Sequence, residues 1–346
     1  MKISQVSTSS MFNLLRSSTA GLQRDLVDAQ REVTTGQRAD PGHSLGERNA
    51  LRLSLLQDIE RLNTITETNG LALARLEISE LALESIGEIG DALLPALVAS
   101  VGQGSSASIA SNAGQSALAE LQSTLNTTFN GEHIFGGINS SVPPLENYQT
   151  SGAKLELEAQ FTNHFGFPPD DSSALTIDKS QMAGFLDVVL EPALTGAGWT
   201  THVSAASDHP IRARIGLNET RDVSVSANES GAQKMVLAGI ISSEFLSGTL
   251  GGGAQDAVLE KAIGLVTSSQ AEIADLRGDV GLTTNRIQRS NERMVVQNDE
   301  MERYAVEMTS VDPFEAATRM NSLLTQIETS YTLTGRIQQL SLMRFI

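Results

Sequence analysis

The chain contains no cysteine among its 346 residues, and aromatic residues make up only 4% of it. The first absence excludes disulfides, thiolate metal sites and cysteine nucleophiles. The second leaves little material for a large globular core, whereas Ala, Leu, Ile and Met suit the seams between helices. No run approaches 18 unbroken apolar residues, so we expect no membrane insertion. The first residues lack the apolar region of a secretory signal, so we expect any export to use another route.

The sequence also lacks the patterns of a catalytic or metal-binding site. Its histidines show no HExxH spacing, and the glycines at 251–253 are not followed by the Lys and Ser/Thr of a phosphate loop. No serine has the strand-to-helix context of a nucleophile elbow. Asp170, Asp171 and Asp178 could bind a hard cation loosely, but carboxylates in an acidic loop usually face water. We therefore expect no enzymatic activity, no cofactor and no metal.

The net charge of −17 is unevenly placed along the chain. Residues 1–60 and 309–346 are each neutral, whereas residues 61–131, 132–230 and 231–308 carry −5, −8 and −4. Neutral ends can lie beside copies of themselves with little repulsion, while an acidic middle stays solvated. No basic stripe interleaved with aromatic residues is present, so we expect no nucleic-acid partner.

Apolar residues recur every seven positions in the C-terminal third, where eight consecutive heptad positions from Leu259 to Met308 are apolar. This pattern predicts a helix of about 50 residues, on the order of 75 Å long, which must lie against other long helices. A second heptad series in the N-terminal third supplies a partner. The candidate bundle core from the two series consists of Leu55, Leu62, Leu76, Leu83, Val266, Ile273, Val280, Ile287, Met294 and Met301.

Asn69 occupies a core position of the N-terminal series. Two interpretations stay open. The polar side chain either fixes the register of the bundle at a cost in stability, or lies on a slightly rotated helix that lets it reach water.

A terminal helix is predicted at each end of the chain. The first runs from about 9 to 34 and is stopped by Gly36. The last begins with Asp312 as N-cap, Pro313 at N1 and Glu315 at N3. Because the chain folds back on itself, these two helices should meet. The candidate assembly interface on them consists of Phe12, Leu15, Leu22, Leu26, Val33, Met320, Leu323, Leu324, Ile327, Tyr331 and Ile337.

Two further features concern the ends of the first long helix and the segment between the two long helices. Ser44 to Glu47 reads as a capping box that opens the first long helix, and Pro95 allows a kink or break near its end. From 131 to 231 the composition shifts to Gly, Pro, Asp and Thr. Short alternating runs there predict strands at 154–158, 199–203, 211–215 and 222–226, with a helix near 180–190.

These observations predict a mainly α protein with an inserted α+β or β-rich domain, in which both termini build an elongated antiparallel coiled coil or helical bundle. Residues 1–44 and 309–346 would form a terminal coiled-coil assembly layer. Residues 45–137 and 231–308 would form a long-helix bundle. Residues 138–230 would form an inserted outer domain, and removal of residues 140–230 should leave assembly largely intact.

The ends of the chain resemble those of the bacterial flagellin superfamily. The similar segments read ISQVS at 3–7, EVTTGQR at 32–38, DPFEAATR at 312–319 and LSLMRFI at 340–346, and the resemblance covers about 1–136 and 235–346. A further segment, GEHIFGG at 131–137, resembles the G-x-Y-x-F-G-G turn of the hook-filament junction branch of that family, with His133 in place of Tyr.

The resemblance implies a flagellin-like fold and a structural protein of the flagellum, an extracellular adaptor between hook and filament that is exported unfolded by the flagellar type III apparatus. Its partners would be neighbouring copies of itself, a hook-side junction protein, flagellin, and an export chaperone on the C-terminal helix. Two alternatives stay open. A filament flagellin shares the same termini, whereas a cytosolic coiled-coil scaffold would need stable helices at both ends in solution and no secretion.

Overall fold

The computed structural model describes residues 8–102, 107–247 and 250–342. Over these residues the chain is mainly helical, which confirms the predicted fold class. The helices are α1 (Thr8–Thr35), α2 (Pro41–Leu45), α3 (Arg48–Ser100), α4 (Ala107–Leu125), α5 (Gly152–Phe165), α6 (Lys179–Phe185), α7 (Glu191–Leu194), α8 (Ala197–His202), α9 (Ser230–Phe245), α10 (Gly252–Thr309) and α11 (Pro313–Leu342).

The β structure of the described residues consists of two short antiparallel hairpins. The first pairs β1 (Thr128–Phe129) with β2 (Glu132–His133). The second pairs β3 (Arg212–Gly216) with β4 (Glu219–Asp222), and Arg212 lies opposite Asp222 in its register. The middle of the chain is therefore helical with a small β component, and the β-rich alternative is wrong.

The chain divides into two compact units. Unit 1 comprises Met1–Asn63 and Val295–Ile346, and unit 2 comprises Thr64–Met294. The two longest helices, α3 with 53 residues and α10 with 58, contribute residues to both units. Helix α10 confirms the long helix predicted from the C-terminal heptads.

The predicted capping box at Ser44 is wrong, because Ser44 lies inside α2 rather than before a helix. Asp40 caps α2 instead, its Oδ1 accepting the backbone N–H of His43 at 3.0 Å. Pro41 follows at N1 with a backbone angle that already suits a helix. Gly46 then ends α2 with a positive φ of 55°, and α3 begins two residues later.

Pro95 does not break α3, which continues to Ser100. The helix is held on both sides of the proline, since Leu93 and Leu97 are fully buried in the core of unit 2. Their packing offsets the hydrogen bond that proline cannot donate. The sequence GSS at 104–106 also predicts an interruption of the helical pattern, and these residues lie outside the described part of the structure.

Unit 2 has one continuous hydrophobic core. It joins the heptad residues of α3 and α10 to side chains from the middle of the chain, among them Phe161, Trp199 and Ile215. Helices α4 and α9 cross closely within it, since a Cβ on Gly114 would lie 2.7 Å from the Cβ of Ser242. Seven of the predicted bundle-core residues are buried in unit 2: Leu76, Leu83, Val266, Ile273, Val280, Ile287 and Met294.

Two of the predicted strands are helices. The run at 154–158 belongs to α5, and the run at 199–203 falls mainly in α8. In α5, Leu157 and Phe161 are buried while Leu155 is exposed, so a spacing of four decides which side chains face the core. The strand at 211–215 is confirmed as β3, and the helix near 180–190 as α6 with a π-helical turn at 186–190. The strand predicted at 222–226 lies earlier, at 219–222.

Asn69 is fully buried, so the interpretation in which it reaches water is wrong. Its Nδ2 donates to the backbone oxygen of Ile215 at 3.1 Å and to Oδ1 of Asn291 at 2.7 Å. Ser290 Oγ donates to the same Ile215 oxygen at 2.7 Å. The β3–β4 hairpin is thus hydrogen-bonded to both long helices, and the expectation that assembly tolerates removal of residues 140–230 stays a prediction.

Replacing Ile215 with alanine tests whether the hairpin belongs to the bundle. The variant Ile215→Ala removes a fully buried side chain, and we expect the free energy of unfolding to fall by about 2–5 kcal/mol. Trp199 is the only tryptophan and is fully buried in unit 2, so its fluorescence during urea unfolding provides the measurement.

The matched control is Leu217→Ala in the exposed turn of the same hairpin, for which we expect a change within about 0.5 kcal/mol. Hydrogen exchange of the α3 amides supplies a second measurement. If Ile215→Ala left both the unfolding midpoint and α3 protection unchanged, the hairpin would be independent of the bundle.

Candidate assembly surface

The two terminal helices lie side by side in unit 1, as the sequence predicts. The hydroxyls of Thr19 and Ser330 are 2.9 Å apart, and Gln23 Nε2 donates to the Tyr331 hydroxyl at 2.7 Å. These contacts join residues more than 300 positions apart in the sequence. The first and last described helices of the chain therefore form one pair.

The predicted interface residues divide into three groups by exposure. Leu323 and Ile327 are buried, whereas Leu324 and Tyr331 are 41% and 55% exposed. The half-buried residues are Leu15, Leu22, Leu26, Val33, Met320 and Ile337. Phe12 belongs to α1, but its side chain lies outside the described part of the structure. The pair thus covers one face of each helix within the chain and leaves further apolar side chains open.

The connection after α1 is paired with the connection after α10 by backbone hydrogen bonds. Gly36 ends α1 with a positive φ of 67°, and its oxygen accepts the N–H of Val311 at 2.9 Å. The N–H of Arg38 donates to the oxygen of Thr309 at 2.8 Å. Glycine suits this position because other residues adopt a positive φ only with strain. Gly36, the glycine of the EVTTGQR segment at 32–38, thus has a structural role.

Glu32 anchors this region from within α1. Its Oε1 accepts the backbone N–H of Ala39 at 3.2 Å, and its Oε2 lies 3.0 Å from Nη1 of Arg319 on α11. Only 8% of Glu32 is exposed, so the carboxylate is a buried charge that needs both partners. No local sequence signal marks this pair, because 287 residues separate its members.

Exposed large apolar side chains are more frequent per residue in unit 1 than in unit 2. Among the described residues, fourteen large apolar side chains of unit 1 are exposed, against twelve in unit 2, which contains about twice as many residues. These side chains are candidates for a surface that associates with other proteins. The fourteen are Met11, Leu14, Val27, Leu51, Leu53, Leu56, Val295, Val296, Tyr304, Val306, Phe314, Leu324, Tyr331 and Leu333.

The remaining bundle-core candidates also lie in unit 1, where their burial is less complete. Leu62 is buried, whereas Leu55 and Met301 are half-buried. Asn298 Nδ2 donates to Asn63 Oδ1 at 3.0 Å, which links α10 to α3 in this unit. The heptad seam therefore continues into unit 1 without being fully covered there.

The structure places the acidic candidates for cation binding at helix starts. Asp171 Oδ1 accepts the N–H of Ser173 at 2.7 Å, and Asp178 caps α6 by accepting the N–H of Gln181 at 2.8 Å. These backbone hydrogen bonds lower the pKa of each carboxyl below its usual value. In residues 8–102, 107–247 and 250–342, no group of three or more His, Cys, Asp or Glu is arranged to hold a metal ion.

One match to a catalytic sequence motif was not predicted. Residues 42–46 read GHSLG, which matches the G-x-S-x-G letters of a nucleophile elbow. Ser44 is exposed within the short helix α2, and the segment before it is not a strand. The strand-to-helix turn that the elbow needs is therefore missing at this place. Within the part of the chain that the structure describes, no helix has the length and apolar content needed to cross a membrane.

Replacing Glu32 with alanine tests what holds the terminal pair together. The variant Glu32→Ala leaves Arg319 and the Ala39 N–H without their buried acceptor, which costs about 1–3 kcal/mol locally. We expect trypsin to cleave the terminal helices faster, on the order of 10-fold, while residues 45–305 persist. A time course on a denaturing gel, with masses assigned by mass spectrometry, gives the rate.

Glu315→Ala is the matched control, since Glu315 is exposed and contacts the same arginine at 3.5 Å. An exposed pair of this kind contributes only about 0.3–0.5 kcal/mol, so cleavage should change less than threefold. Equal rates for the two variants would contradict the role assigned to Glu32.

Comparison with known proteins agrees with the geometry of both ends. Residues 6–140 match the bacterial flagellin N-terminal helical region, and residues 263–346 match the bacterial flagellin C-terminal helical region. No curated protein gave a significant match. A solved structure from Vibrio parahaemolyticus, provisionally assigned as a flagellar hook-associated protein, has a similar fold. The TM-score is 0.55 at 11% identity, covering 77% of this chain and 99% of that one.

The two matching regions together cover more than half of the chain, including both terminal helices and most of α3 and α10. They are the same segments that build the terminal pair and the heptad seam. The chain belongs to the bacterial flagellin superfamily.

Proposed function

We propose that the chain is an adaptor subunit at the junction between the flagellar hook and the filament. Members of the flagellin superfamily are structural proteins that assemble with neighbouring subunits into the extracellular flagellum, so the chain is a structural flagellar component. The position at the junction is the more specific part of the proposal. The main alternative is a filament subunit, which would share the terminal helices and the exposed apolar surface of unit 1.

The observation that carries the junction position is the turn at 131–137, the GEHIFGG segment. Gly137 has a positive φ of 59°, and a Cβ there would lie 2.5 Å from the oxygen of Ser207. Phe135 is fully buried, and its oxygen accepts the N–H of Ala227 at 2.9 Å. Two residues of the segment that resembles the junction branch, Phe135 and Gly137, therefore contact the middle region of the chain.

Three further observations support the proposal. The protein from Vibrio parahaemolyticus is assigned as hook-associated, and its fold resembles that of this chain. The neutral ends favour close association between copies, because they add little repulsion. The exposed apolar side chains of unit 1 give neighbouring subunits, on the hook side and the filament side, a surface to cover.

The proposal includes the layering expected from the sequence. Residues 1–44 and 309–346 would form the inner assembly layer, 45–137 and 231–308 the surrounding bundle, and 138–230 the outer surface. Export through the flagellar type III apparatus, with the chain unfolded, would deliver it to the growing structure. The absence of cysteine suits this route, because no disulfide can form on the way.

Immunogold labelling of isolated flagella tests the position directly. For a junction subunit we expect one cluster of gold particles per flagellum, located between the curved hook and the filament. Label along the whole filament would instead identify a filament flagellin. Absence of label, with the protein in the cytosolic fraction, would favour a cytosolic scaffold and overturn the proposal.

The proposed chaperone contact on α11 makes a separate prediction. Leu324 and Tyr331 are exposed and seven residues apart, so they share one face of the helix. We expect the double variant Leu324→Glu, Tyr331→Glu to reduce capture of a co-expressed flagellar export chaperone at least 10-fold in a pull-down, because it places charges in an apolar contact. Deleting 310–346 should abolish capture.

The matched control is Leu14→Glu with Val27→Glu, which adds the same two charges to exposed apolar positions of α1. Capture of this control should stay close to that of the unaltered chain. Undiminished capture of the 310–346 deletion would refute the placement on the last helix.

A further inference from the structure

An arginine cluster lies on unit 2 where the β3–β4 hairpin meets α10. Arg221 of the hairpin and Arg286 and Arg289 of α10 line one open cleft of about 420 Å³. Along residues 212–222 and 282–293 the chain has six arginines and three carboxylates, a local excess of three positive charges in a protein of net charge −17. We call the arginines of these two segments the arginine cluster: Arg212, Arg214, Arg221, Arg286, Arg289 and Arg293.

The cluster is only partly neutralised within the chain. Glu219 accepts hydrogen bonds from Arg286 at 2.8 Å and Arg221 at 3.2 Å, and the Arg286 bond lowers the pKa of its carboxyl. Arg212 pairs with Asp222 at 3.1 Å. The other three side chains are exposed, and no described carboxylate lies within ion-pair distance of them: Arg214, Arg289 and Arg293.

Two of these unpaired arginines share a helix face with Arg286. Positions 286, 289 and 293 follow the i, i+3, i+7 spacing of one face of α10. The side chains therefore point the same way, and the two free guanidinium groups are available together. An arrangement of this kind fits a partner that presents several carboxylates in a row.

Unit 2 also carries such a row. Residues 77–91 of α3 contain five carboxylates and no lysine or arginine, and all five are exposed. Their spacing places them within one face of the helix over about 21 Å. We call them the acidic stripe: Glu77, Glu80, Glu84, Glu88 and Asp91.

The acidic stripe likewise keeps unpaired charge. Arg277 lies 3.8 Å from Glu80 and 3.6 Å from Glu84, so one cation serves two carboxylates. Gln270 donates to Asp91 at 2.6 Å without neutralising it. No described lysine or arginine pairs with Glu77 or Glu88. The stripe therefore retains a net charge of about −4 after Arg277 is counted.

We propose that the arginine cluster of one copy binds the acidic stripe of a neighbouring copy, as a lateral contact in the assembled protein. The two surfaces have opposite charge, lie on different elements and are not self-complementary. A contact between two different patches is heterologous, and repeating it generates a ring or a helical assembly rather than a closed dimer. This inference rests on the proposed function only in requiring that copies of the chain assemble together.

The overall charge of the protein favours this occupant over another anionic ligand. Copies carrying −17 repel one another at short range unless opposite charges are matched locally. Each exposed pair contributes little affinity, but matched patches set the register and exclude wrong orientations. The contact therefore orients neighbours whose association the apolar surface of unit 1 drives.

The absence of native cysteine makes a crosslinking test direct. Two forms of the full chain, one carrying Arg289→Cys and the other Glu88→Cys, are given different epitope tags and expressed together. Intact isolated flagella are then treated with a flexible bis-maleimide crosslinker. We expect a doubly tagged dimer, at least fivefold more abundant than in a matched pair that combines Arg289→Cys with Glu158→Cys, an exposed acidic position on α5.

The possible outcomes separate this inference from the proposed function. If both forms are found at the hook-filament junction but the Glu88 pair crosslinks no better than the Glu158 pair, the contact is wrong and the function stands. If Arg289→Cys crosslinks mainly to itself, the interface is symmetric and the contact is also wrong. If neither form is found in isolated flagella, the proposed function fails first.

A charge exchange provides a second, independent measurement. Arg289→Glu with Arg293→Glu should lower the amount of the protein retained in flagella at least threefold, because like charges then face each other. Co-expression with a chain carrying Glu77→Arg and Glu88→Arg should restore retention at least halfway. Reduced retention that the second chain does not rescue would contradict the proposed pairing.

Discussion

The structure depends on burying the heptad seams of two helices that are each longer than 50 residues. A pair of helices buries only the seam that the two share, so the wider apolar faces of α3 and α10 need further elements to cover them. In unit 2 the heptad residues of both helices are buried by other parts of the chain. Helices α4 and α9 and the middle of the chain supply this cover, so that Leu83 and Val266 are almost fully buried. The positions of the remaining elements of unit 2 follow from this requirement.

Unit 1 meets the same requirement only in part. Its terminal helices pair with each other through Leu323 and Ile327, but Leu55 and Met301 of the long helices stay half-buried. A folded chain with so much open apolar surface gains free energy when another protein covers it, at about 25 cal/mol per Å². Unit 2 thus buries its heptad residues within one chain, whereas in the proposed assembly neighbouring subunits would supply the remaining cover of unit 1.

Sequence periodicity predicted the long helices, in which one apolar spacing repeats over many residues. The heptads ending at Met308 identified α10, and Asp312 with Pro313 marked the start of α11. Short runs were less informative. The alternation around Leu155 and Leu157 is compatible with a strand, whereas the burial of Leu157 and Phe161, four residues apart, follows the period of a helix.

Pairs that are distant in the sequence could not be predicted at all. The partner of buried Asn69 is the backbone of Ile215, 146 residues away, and Glu32 meets Arg319 across 287 residues. The arginine cluster could not be predicted for the same reason. Its six members come from two segments about sixty residues apart, each with interspersed carboxylates, so the sequence shows no basic stripe.

The chemistry of the two units suggests how one family can build different parts of a flagellum from the same ends. Apolar contacts are tolerant of orientation, because burial depends on area rather than direction. Charge pairs depend on geometry and penalise mismatched neighbours. If unit 1 supplies the association energy and the polar surface of unit 2 selects the neighbour, then changes confined to α3, α10 and the β3–β4 hairpin can alter which subunit follows which. A junction subunit needs that property, since it must bind its own copies laterally while accepting different proteins on its two sides.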